Sequence, residues 1–393
     1  MNGETELAVM NMQSIGGLSE VLLETPRHVV QNFFFLNWAR HLRDRFENRG
    51  KMACKSRLLY TFRKLAEHLA IGTIRFESDV EDVKNLGKEM RRVFHQIFDE
   101  NTWLEPETKA VLHKRLDNVK EHYGFSTHAL DKAKIDGFYE ALILPDKWGL
   151  MEMWQFEERG SWFVTRLNLM GTLGYEPAME FNAFNSNDVK ITIPLALITQ
   201  PFYNPTWPLE FNYGGVGEVI GHEFTHTFDD QDDLPDGNVG NDTDEYLEKE
   251  KCFVDQFGGV IYGNDRLNIT VKADGNVQHK ETIADNNGLR VAWRAYLEKR
   301  KHLYGRNPPK LPGLQEFTNE QLFFLAHSQI ECGRQPRIYP NQDHDWVGEF
   351  HPVGDVRINE KLKNFNSFAT TFKCKLNSKM NPERKCRVWR YYH

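Results

Sequence analysis

Apolar residues recur every three or four positions between about residue 20 and residue 130, which is the spacing that places them on one side of a helix. Charged and polar residues fill the positions between them, so each segment can bury one face and expose the other. The pattern predicts four amphipathic helices, in the segments VVQNFFFLNWARHLRDRFENR, SRLLYTFRKLAEHLA, VEDVKNLGKEMRRVFHQIFDE and EPETKAVLHKRLDNVKEHYGF.

The pattern changes from about residue 150, where aromatic and β-branched runs alternate with Gly, Asn, Asp and Pro. MEFNAF and VKITIPLALI, joined by NSND, predict a hairpin in a small sheet. Two further helices are predicted in GGVGEVIGHEFTHTF and ETIADNNGLRVAWRAYLEKR. We therefore expect an α+β fold that is mainly α, with one domain over residues 1–150 and a second over residues 151–393.

Composition narrows the class of protein. A chain of 393 residues with 40% hydrophobic content can bury an ordinary core. The net charge of −7 and the dispersed lysines and arginines argue against a nucleic-acid partner. Apolar runs such as FFFLNWA are far shorter than the roughly 20 residues that a bilayer requires. The first residues lack a basic segment followed by an apolar core, so we expect neither a signal peptide nor a membrane anchor in this chain.

Two short motifs carry candidate chemistry. Residues four apart on a helix share a face, so His222 and His226 of HEFTH can bind one metal ion. Glu223 is the next residue after His222 on the helix, so its side chain lies next to the metal without binding it. In ETIAD, Glu281 can be a third ligand, and Asp285 can reach a ligating histidine and fix its tautomer. Three protein ligands leave a fourth position open for water or substrate, which is typical of a catalytic zinc site.

The motif histidines could also serve a structural role. Histidines that are satisfied in a buried core without metal would show the same apolar spacing. A structural zinc site would need a fourth Cys or His ligand, and none stands at a helpful spacing. The metzincin pattern would need glycine and histidine where this chain has Asp229 and Asp232, so that class is excluded.

Five blocks of sequence resemble the neprilysin and endothelin-converting enzyme family, in the family's order. They are NAF at 182–184, VIGHEFTHTFDDQ, ETIADNNGL, FHPVGDVRIN at 350–359 and MNPERKCRVW at 380–389. The resemblance runs from about residue 20 to the end of the chain. It implies a thermolysin-like zinc endopeptidase domain over residues 151–393, and a helical domain over residues 1–150 that roofs a chamber admitting oligopeptides.

The resemblance also implies roles for individual residues. One zinc ion would be bound by His222, His226 and Glu281, with Glu223 as general base and Asp285 supporting a histidine. His351 would stabilise the transition state and Arg357 would hold a substrate carbonyl. The remaining residues would contact the substrate. Asn182 and Ala183 would hydrogen-bond to its backbone, in the manner of strand addition. The side chain of the substrate residue after the cleaved bond would contact Leu197, Phe202, Val219 and Ile330.

The chain also departs from the family. Glu218 and Glu331 stand where many relatives carry apolar residues, which weakens the expected preference for large apolar side chains. The match covers only the family's C-terminal part, so we expect part of the roof to be missing, apolar helix faces to be exposed and stability to be marginal.

The cysteines are consistent with a shortened chain. The resemblance implies a disulfide between Cys252 and Cys386, and leaves Cys54, Cys332 and Cys374 without partners. It also implies an extracellular or plasma-membrane ectodomain.

Two functions from different classes follow. The first is a zinc metalloendopeptidase that cleaves oligopeptides by attack of water, with Glu223 as the base. The second is a catalytically silent, shortened relative that binds peptides. Because every candidate ligand and the candidate base are present, the first is favoured.

Overall fold

The computed structural model describes residues 21, 23–47, 62–73, 77–139, 178–186, 190–229, 240–264, 269–332 and 351–389. Contacts divide the chain into two compact units, residues 1–66 with 140–167, and residues 67–139 with 168–393. The expected domain boundary at residue 150 stays a prediction. Among the described residues, no helix is long and apolar enough to cross a membrane.

Helices dominate the described ranges. In chain order they are α1 (Arg27–Glu47), α2 (Arg63–Thr73), α3 (Glu77–Glu100), α4 (Pro106–Asn118), α5 (Lys132–Tyr139), α6 (Leu209–Asn212), α7 (Glu218–Thr225), α8 (Gly240–Gly258), α9 (Gly275–Tyr304), α10 (Asn319–Ile330), α11 (Gly354–Lys363) and α12 (Asn366–Thr371). Shorter 3₁₀ turns span Thr127–Leu130, Leu195–Ile198 and His226–Phe228, and a wide π turn spans Tyr213–Gly217. The prediction of a mainly helical fold with a small sheet is confirmed.

The strands form two small sheets. The first has the order β1 (Lys120–Gly124), β3 (Lys190–Pro194), β2 (Phe184–Ser186), with β1 parallel and β2 antiparallel to β3. The second pairs β4 (Ile261–Asn264) with β5 (Ile269–Lys272). In the described part of the chain, β2 is an edge strand of its sheet.

Three predicted boundaries were wrong. The fourth helix was expected to reach Phe125, but it ends at Asn118, because Val119 turns to an extended conformation and KEHYG pairs with β3 as β1. The predicted strand VKITIPLALI ends at Pro194, after which Leu195–Ile198 forms a buried 3₁₀ turn. The first strand of the hairpin begins only at Phe184 and includes Asn185 and Ser186, which were expected in the loop.

One apolar core in the larger unit joins α3 to the two motif helices. Phe94 of α3 packs against Phe224 of α7, with ring centroids 5.8 Å apart. Trp293 and Tyr296 of α9 contact Phe323 of α10 on the other side. The motif helices therefore lie inside the hydrophobic core.

A disulfide joins Cys252 on α8 to Cys386 near the end of the chain, as the resemblance implied. Cys332 and Cys374 are free thiols. Cys54 lies outside the described residues.

Candidate metal centre and active site

The site is built where α7 and α9 cross at a pair of glycines. A Cβ atom on Gly221 would come within 2.7 Å of the carbonyl oxygen of Gly288. A Cβ atom on Gly288 would come within 2.5 Å of the backbone nitrogen of His222. Only glycine permits this approach, and it brings the HEFTH and ETIAD motifs onto facing surfaces of the two helices.

Three candidate ligand atoms meet at this crossing. The Nε2 atoms of His222 and His226 lie 2.9 Å apart. The Oε2 atom of Glu281 lies 3.3 Å from the first and 3.5 Å from the second. This carboxylate oxygen is buried and none of its contacts has hydrogen-bond geometry, so it is an unsatisfied acceptor that a bound cation would satisfy.

The triangle fits a zinc ion. Tetrahedral zinc with ligand bonds of about 2.0–2.2 Å separates its ligand atoms by about 3.3–3.6 Å. The two separations that involve Glu281, 3.3 and 3.5 Å, fall in that range, and the two histidine nitrogens, 2.9 Å apart, lie slightly closer. Two imidazoles and a carboxylate are also a donor set that zinc prefers.

His351 is an alternative to His226 as the third ligand. Its Nε2 lies 2.8 Å from Glu281 Oε2, and His222, Glu281 and His351 present ligand atoms within 4.8 Å of one another. The side chain of His351 is 41% exposed, whereas that of His226 is 18% exposed. We favour His226 as the ligand, because it shares a helical segment with His222 and its second nitrogen is held by a carboxylate.

Each histidine of the motif has a carboxylate at its Nδ1 atom. Asp285 Oδ1 lies 3.0 Å from Nδ1 of His222, and Asp229 is hydrogen-bonded to Nδ1 of His226. Burial opposes protonation of His222, but the nearby carboxylates of Asp285 and Glu281 outweigh this effect and raise its pKa to about 9. Because Asp285 and Asp229 accept hydrogen bonds from the Nδ1 atoms, the Nε2 atoms of both histidines face Glu281.

Glu281 itself is held in its charged form. Burial works against ionisation, but the contacts with His222, His226 and His351 lower the pKa of this carboxyl well below its usual range. A charged carboxylate is the form that binds a cation.

Glu223 lies beside this triangle. The residue is 5% exposed and lines the same cavity as the three ligands. Burial raises the pKa of its carboxyl, and the nearby His222 and His226 oppose that rise. A carboxylate that binds a proton more readily than usual suits a group that must accept one from water.

Behind His222 lies a buried network of charges. Arg357 donates two hydrogen bonds to Asp285, from Nε at 2.8 Å and from Nη2 at 2.5 Å. Lys361 donates to Glu218 at 2.8 Å and lies 3.7 Å from Asp285. Burial disfavours the charged form of Asp285, but Arg357 and Lys361 together lower the pKa of this carboxyl well below its usual range.

A cavity of about 820 Å³ opens in front of the triangle. Asn182 and Ala183 line it and precede the edge strand β2. Asn185 of β2 donates to the carbonyl oxygen of Glu223 and to Thr227 Oγ1, both at 2.9 Å, so this strand is fixed to the motif helix. The remaining predicted residues on the cavity wall are Leu197, Phe202, Val219, Ile330, His351 and Arg357.

Three of the residues that sequence reasoning missed hold other residues of the site in place. Asp229 follows His226 by three positions, the spacing at which one helical turn brings side chains together. Lys361 follows Arg357 by four positions on α11, which is a second signal of the same kind. Asn185 carried no such signal, because its contact with α7 depends on how the sheet packs.

Comparisons with known proteins identify the family that the chain resembles. The sequence pattern of peptidase family M13 matches residues 182–388. Neprilysin-11 of Caenorhabditis elegans is 28% identical over 99% of this chain, and human neprilysin is 32% identical over 78% of it. The solved structure of the zinc metalloprotease Zmp1 of Mycobacterium tuberculosis has a similar fold, with a TM-score of 0.65 and 21% identity over 85% of this chain.

The relatives are longer. The chain spans 49% of neprilysin-11, 42% of human neprilysin and 50% of the Zmp1 chain. The matched region contains HEFTH, ETIAD and Arg357, which are the residues that the structure brings together. By this match over more than half of its residues, the chain belongs to peptidase family M13.

Proposed function

We propose that this protein is a zinc-dependent metalloendopeptidase that cleaves oligopeptides. The observation that carries the proposal is the convergence of two imidazole nitrogens and one carboxylate oxygen within 3.5 Å, beside the buried Glu223 and at the wall of a cavity. One zinc ion held by His222, His226 and Glu281 accounts for this arrangement.

The chain's own residues prepare the ligand set. When bound, zinc would polarise the peptide carbonyl and make the attacking water more acidic. Asp285 and Asp229 keep the Nδ1 protons of the two histidines, so the Nε2 lone pairs are directed at the ligand position. Arg357 and Lys361 keep Asp285 charged, which preserves this tautomer.

Glu223 would transfer the proton as general base and then general acid. Its carboxylate accepts a proton from the attacking water and passes it to the nitrogen of the leaving amine. The reaction needs no covalent acyl intermediate, because water is the nucleophile.

Two cavity residues would stabilise the substrate. His351, which is partly exposed beside Glu281, can donate to the oxygen on which negative charge develops. Arg357 would orient a substrate carbonyl through Nη1, since its Nε and Nη2 atoms already donate to Asp285.

An edge strand would hold the substrate backbone. β2 has a free edge in the described sheet, and Asn182 and Ala183 extend it along the cavity wall. A peptide in extended conformation can add to such an edge by main-chain hydrogen bonds, which favours flexible oligopeptides over folded proteins.

The disulfide is evidence about the cellular compartment in which the protein acts. A disulfide such as Cys252–Cys386 persists in an oxidising environment, which supports action outside the cytosol.

A quenched fluorescent peptide assay tests the proposal. We expect cleavage by the zinc-loaded protein, loss of cleavage with a chelator, and recovery when zinc is restored. Glu223→Gln should lower kcat by about 10²–10⁴-fold while zinc content stays unchanged. The control is Glu248→Gln, which removes the same charge from an exposed position of α8 and should keep full activity.

Two outcomes would contradict the proposal. Peptide binding without cleavage by the fully zinc-loaded protein would support the catalytically silent alternative. Full activity in Glu223→Gln would show that another group is the base.

A further inference from the structure

The pocket beside the ligands has apolar walls and a carboxylate at its margin. Leu197, Phe202, Val219 and Ile330 supply the apolar surface. Glu218 and Glu331 line the same cavity, and Glu331 directly follows the last residue of α10. The two carboxylates differ in how their charges are neutralised.

The charge of Glu218 is neutralised inside the protein. Its carboxylate accepts a hydrogen bond from Lys361 at 2.8 Å, and the two side chains are 5% and 0% exposed. A pair this deeply buried is part of the wall and is not available to a substrate.

The charge of Glu331 has only a weak partner. Its Oε1 atom lies 3.5 Å from Nη1 of Arg357, beyond ordinary hydrogen-bond distance, and its side chain is 22% exposed. Arg357 already donates two short hydrogen bonds to Asp285, so its positive charge is largely committed there.

The three carboxylates at this end of the cavity differ in their partners. Asp285 accepts hydrogen bonds from Arg357, and Glu218 accepts one from Lys361. Of these three carboxylates, Glu331 alone has no cation within ordinary hydrogen-bond distance.

We propose that Glu331 selects a basic side chain, arginine or lysine, for the substrate residue that follows the cleaved bond. This inference rests on the proposed peptidase function and revises the preference for large apolar side chains that the family resemblance implies. The partly exposed carboxylate of Glu331 lines the same cavity as the apolar residues to which the resemblance assigns that side chain.

The shape and chemistry of the pocket match such a side chain. Arginine and lysine have an apolar stem and a charged tip, and the stem can lie along Leu197, Phe202, Val219 and Ile330. The tip then reaches the exposed part of Glu331, where a charge-assisted hydrogen bond is stronger than a neutral one.

The test uses a set of quenched peptides that are identical except at the residue after the single cleavable bond. That residue is arginine, its uncharged isostere citrulline, leucine or glutamate, and mass spectrometry confirms which bond is cut. We expect kcat/KM for arginine to exceed that for citrulline by at least about tenfold, because the two side chains differ mainly in charge. Glutamate should be the poorest substrate.

Variants assign the preference to one carboxylate. Glu331→Gln should reduce the arginine-to-citrulline ratio to near one, and Glu331→Asp, which keeps the charge, should retain most of it. Glu316→Gln removes the same charge from an exposed loop outside the cavity and should leave the ratio unchanged.

The outcomes separate this inference from the peptidase proposal. Cleavage of all peptides with arginine and citrulline equal, or with leucine preferred, would overturn the role of Glu331 and leave the peptidase function standing. If no peptide is cleaved, the peptidase proposal fails, and the affinities of wild-type protein and Glu331→Gln for the same peptides then decide the inference. Tighter binding of the arginine peptide that is lost in Glu331→Gln would still support it, and equal binding would overturn it.

Discussion

At the scale of single residues, Asp285 connects the candidate ligands to the charges behind them. It is 1% exposed, contacts Nδ1 of His222 and accepts two hydrogen bonds from Arg357. Removing its charge would leave Arg357 without its main partner and His222 without the group that sets its tautomer.

Asp285→Asn should therefore weaken zinc binding by about tenfold to a hundredfold. It should also lower the free energy of unfolding by about 3–5 kcal/mol, because it breaks a buried ion pair from one side. Competition with a chromophoric chelator measures the first effect and chemical denaturation the second.

The matched control is Asp255→Asn, which breaks an exposed pair with Lys251 on α8 and should cost less than about 1 kcal/mol. Zinc affinity equal to wild type in Asp285→Asn would mean that this carboxylate does not orient His222.

The sequence predicted residue identities better than residue contacts. Helical spacing placed His222 and His226 on one face, and the structure brings Glu281 and Asp285 to them. The bond from Lys361 to Glu218 crosses 143 positions of sequence and depends on how α11 packs against α7, which no local spacing reveals. The weak pairing of Glu331 follows from the same packing.

At the scale of elements, the crossing of α7 and α9 controls the metal site. The two helices meet backbone to backbone at Gly221 and Gly288, without side chains between them. The distance from Glu281 to the histidines therefore depends on the separation of two rigid helices.

Gly288→Ala should push the helices apart. Its new methyl group would lie 2.5 Å from the backbone nitrogen of His222, which cannot move aside as a flexible side chain would. We expect a loss of about 1–3 kcal/mol in stability, together with weaker zinc binding. Thermal unfolding and chelator competition measure both.

Gly137→Ala is the matched control, since a Cβ atom at this exposed position of α5 meets nothing within 4 Å. There the higher helix propensity of alanine should stabilise by up to about 1 kcal/mol. Wild-type stability and zinc affinity in Gly288→Ala would contradict the close crossing.

Elements were predictable where periodicity is strong and local. The long helices α3 and α9 and the pairing of β2 with β3 follow from such patterns. The strand β1 does not, because KEHYG continues a helical pattern and its pairing with Lys190–Pro194 is parallel and distant in sequence. Tertiary pairing overrides local preference here.

At the scale of the whole molecule, the disulfide ties the last described residues of the chain to α8. Cys252 and Cys386 are 134 positions apart, and the ETIAD motif and α11 lie between them in the sequence. Closing so long a loop removes much of the freedom of the unfolded chain.

Replacing Cys252 and Cys386 together by serine should lower the free energy of unfolding by up to about 5 kcal/mol, by the entropy of a loop this long. Denaturation under non-reducing conditions measures the loss. Cys332→Ser, at an exposed free thiol, should change stability by less than about 0.5 kcal/mol. Equal stability of the double variant and wild type would mean that the disulfide does not stabilise the fold.

The most direct test of the zinc assignment is anomalous diffraction at the zinc absorption edge from crystals of the zinc-loaded protein. We expect one zinc peak within about 2.0–2.2 Å of Nε2 of His222, Nε2 of His226 and a carboxylate oxygen of Glu281, with Glu223 beside it but not bound to it. A peak between Glu281 and His351 that leaves His226 unbound, or no peak at the crossing of α7 and α9, would contradict the assignment.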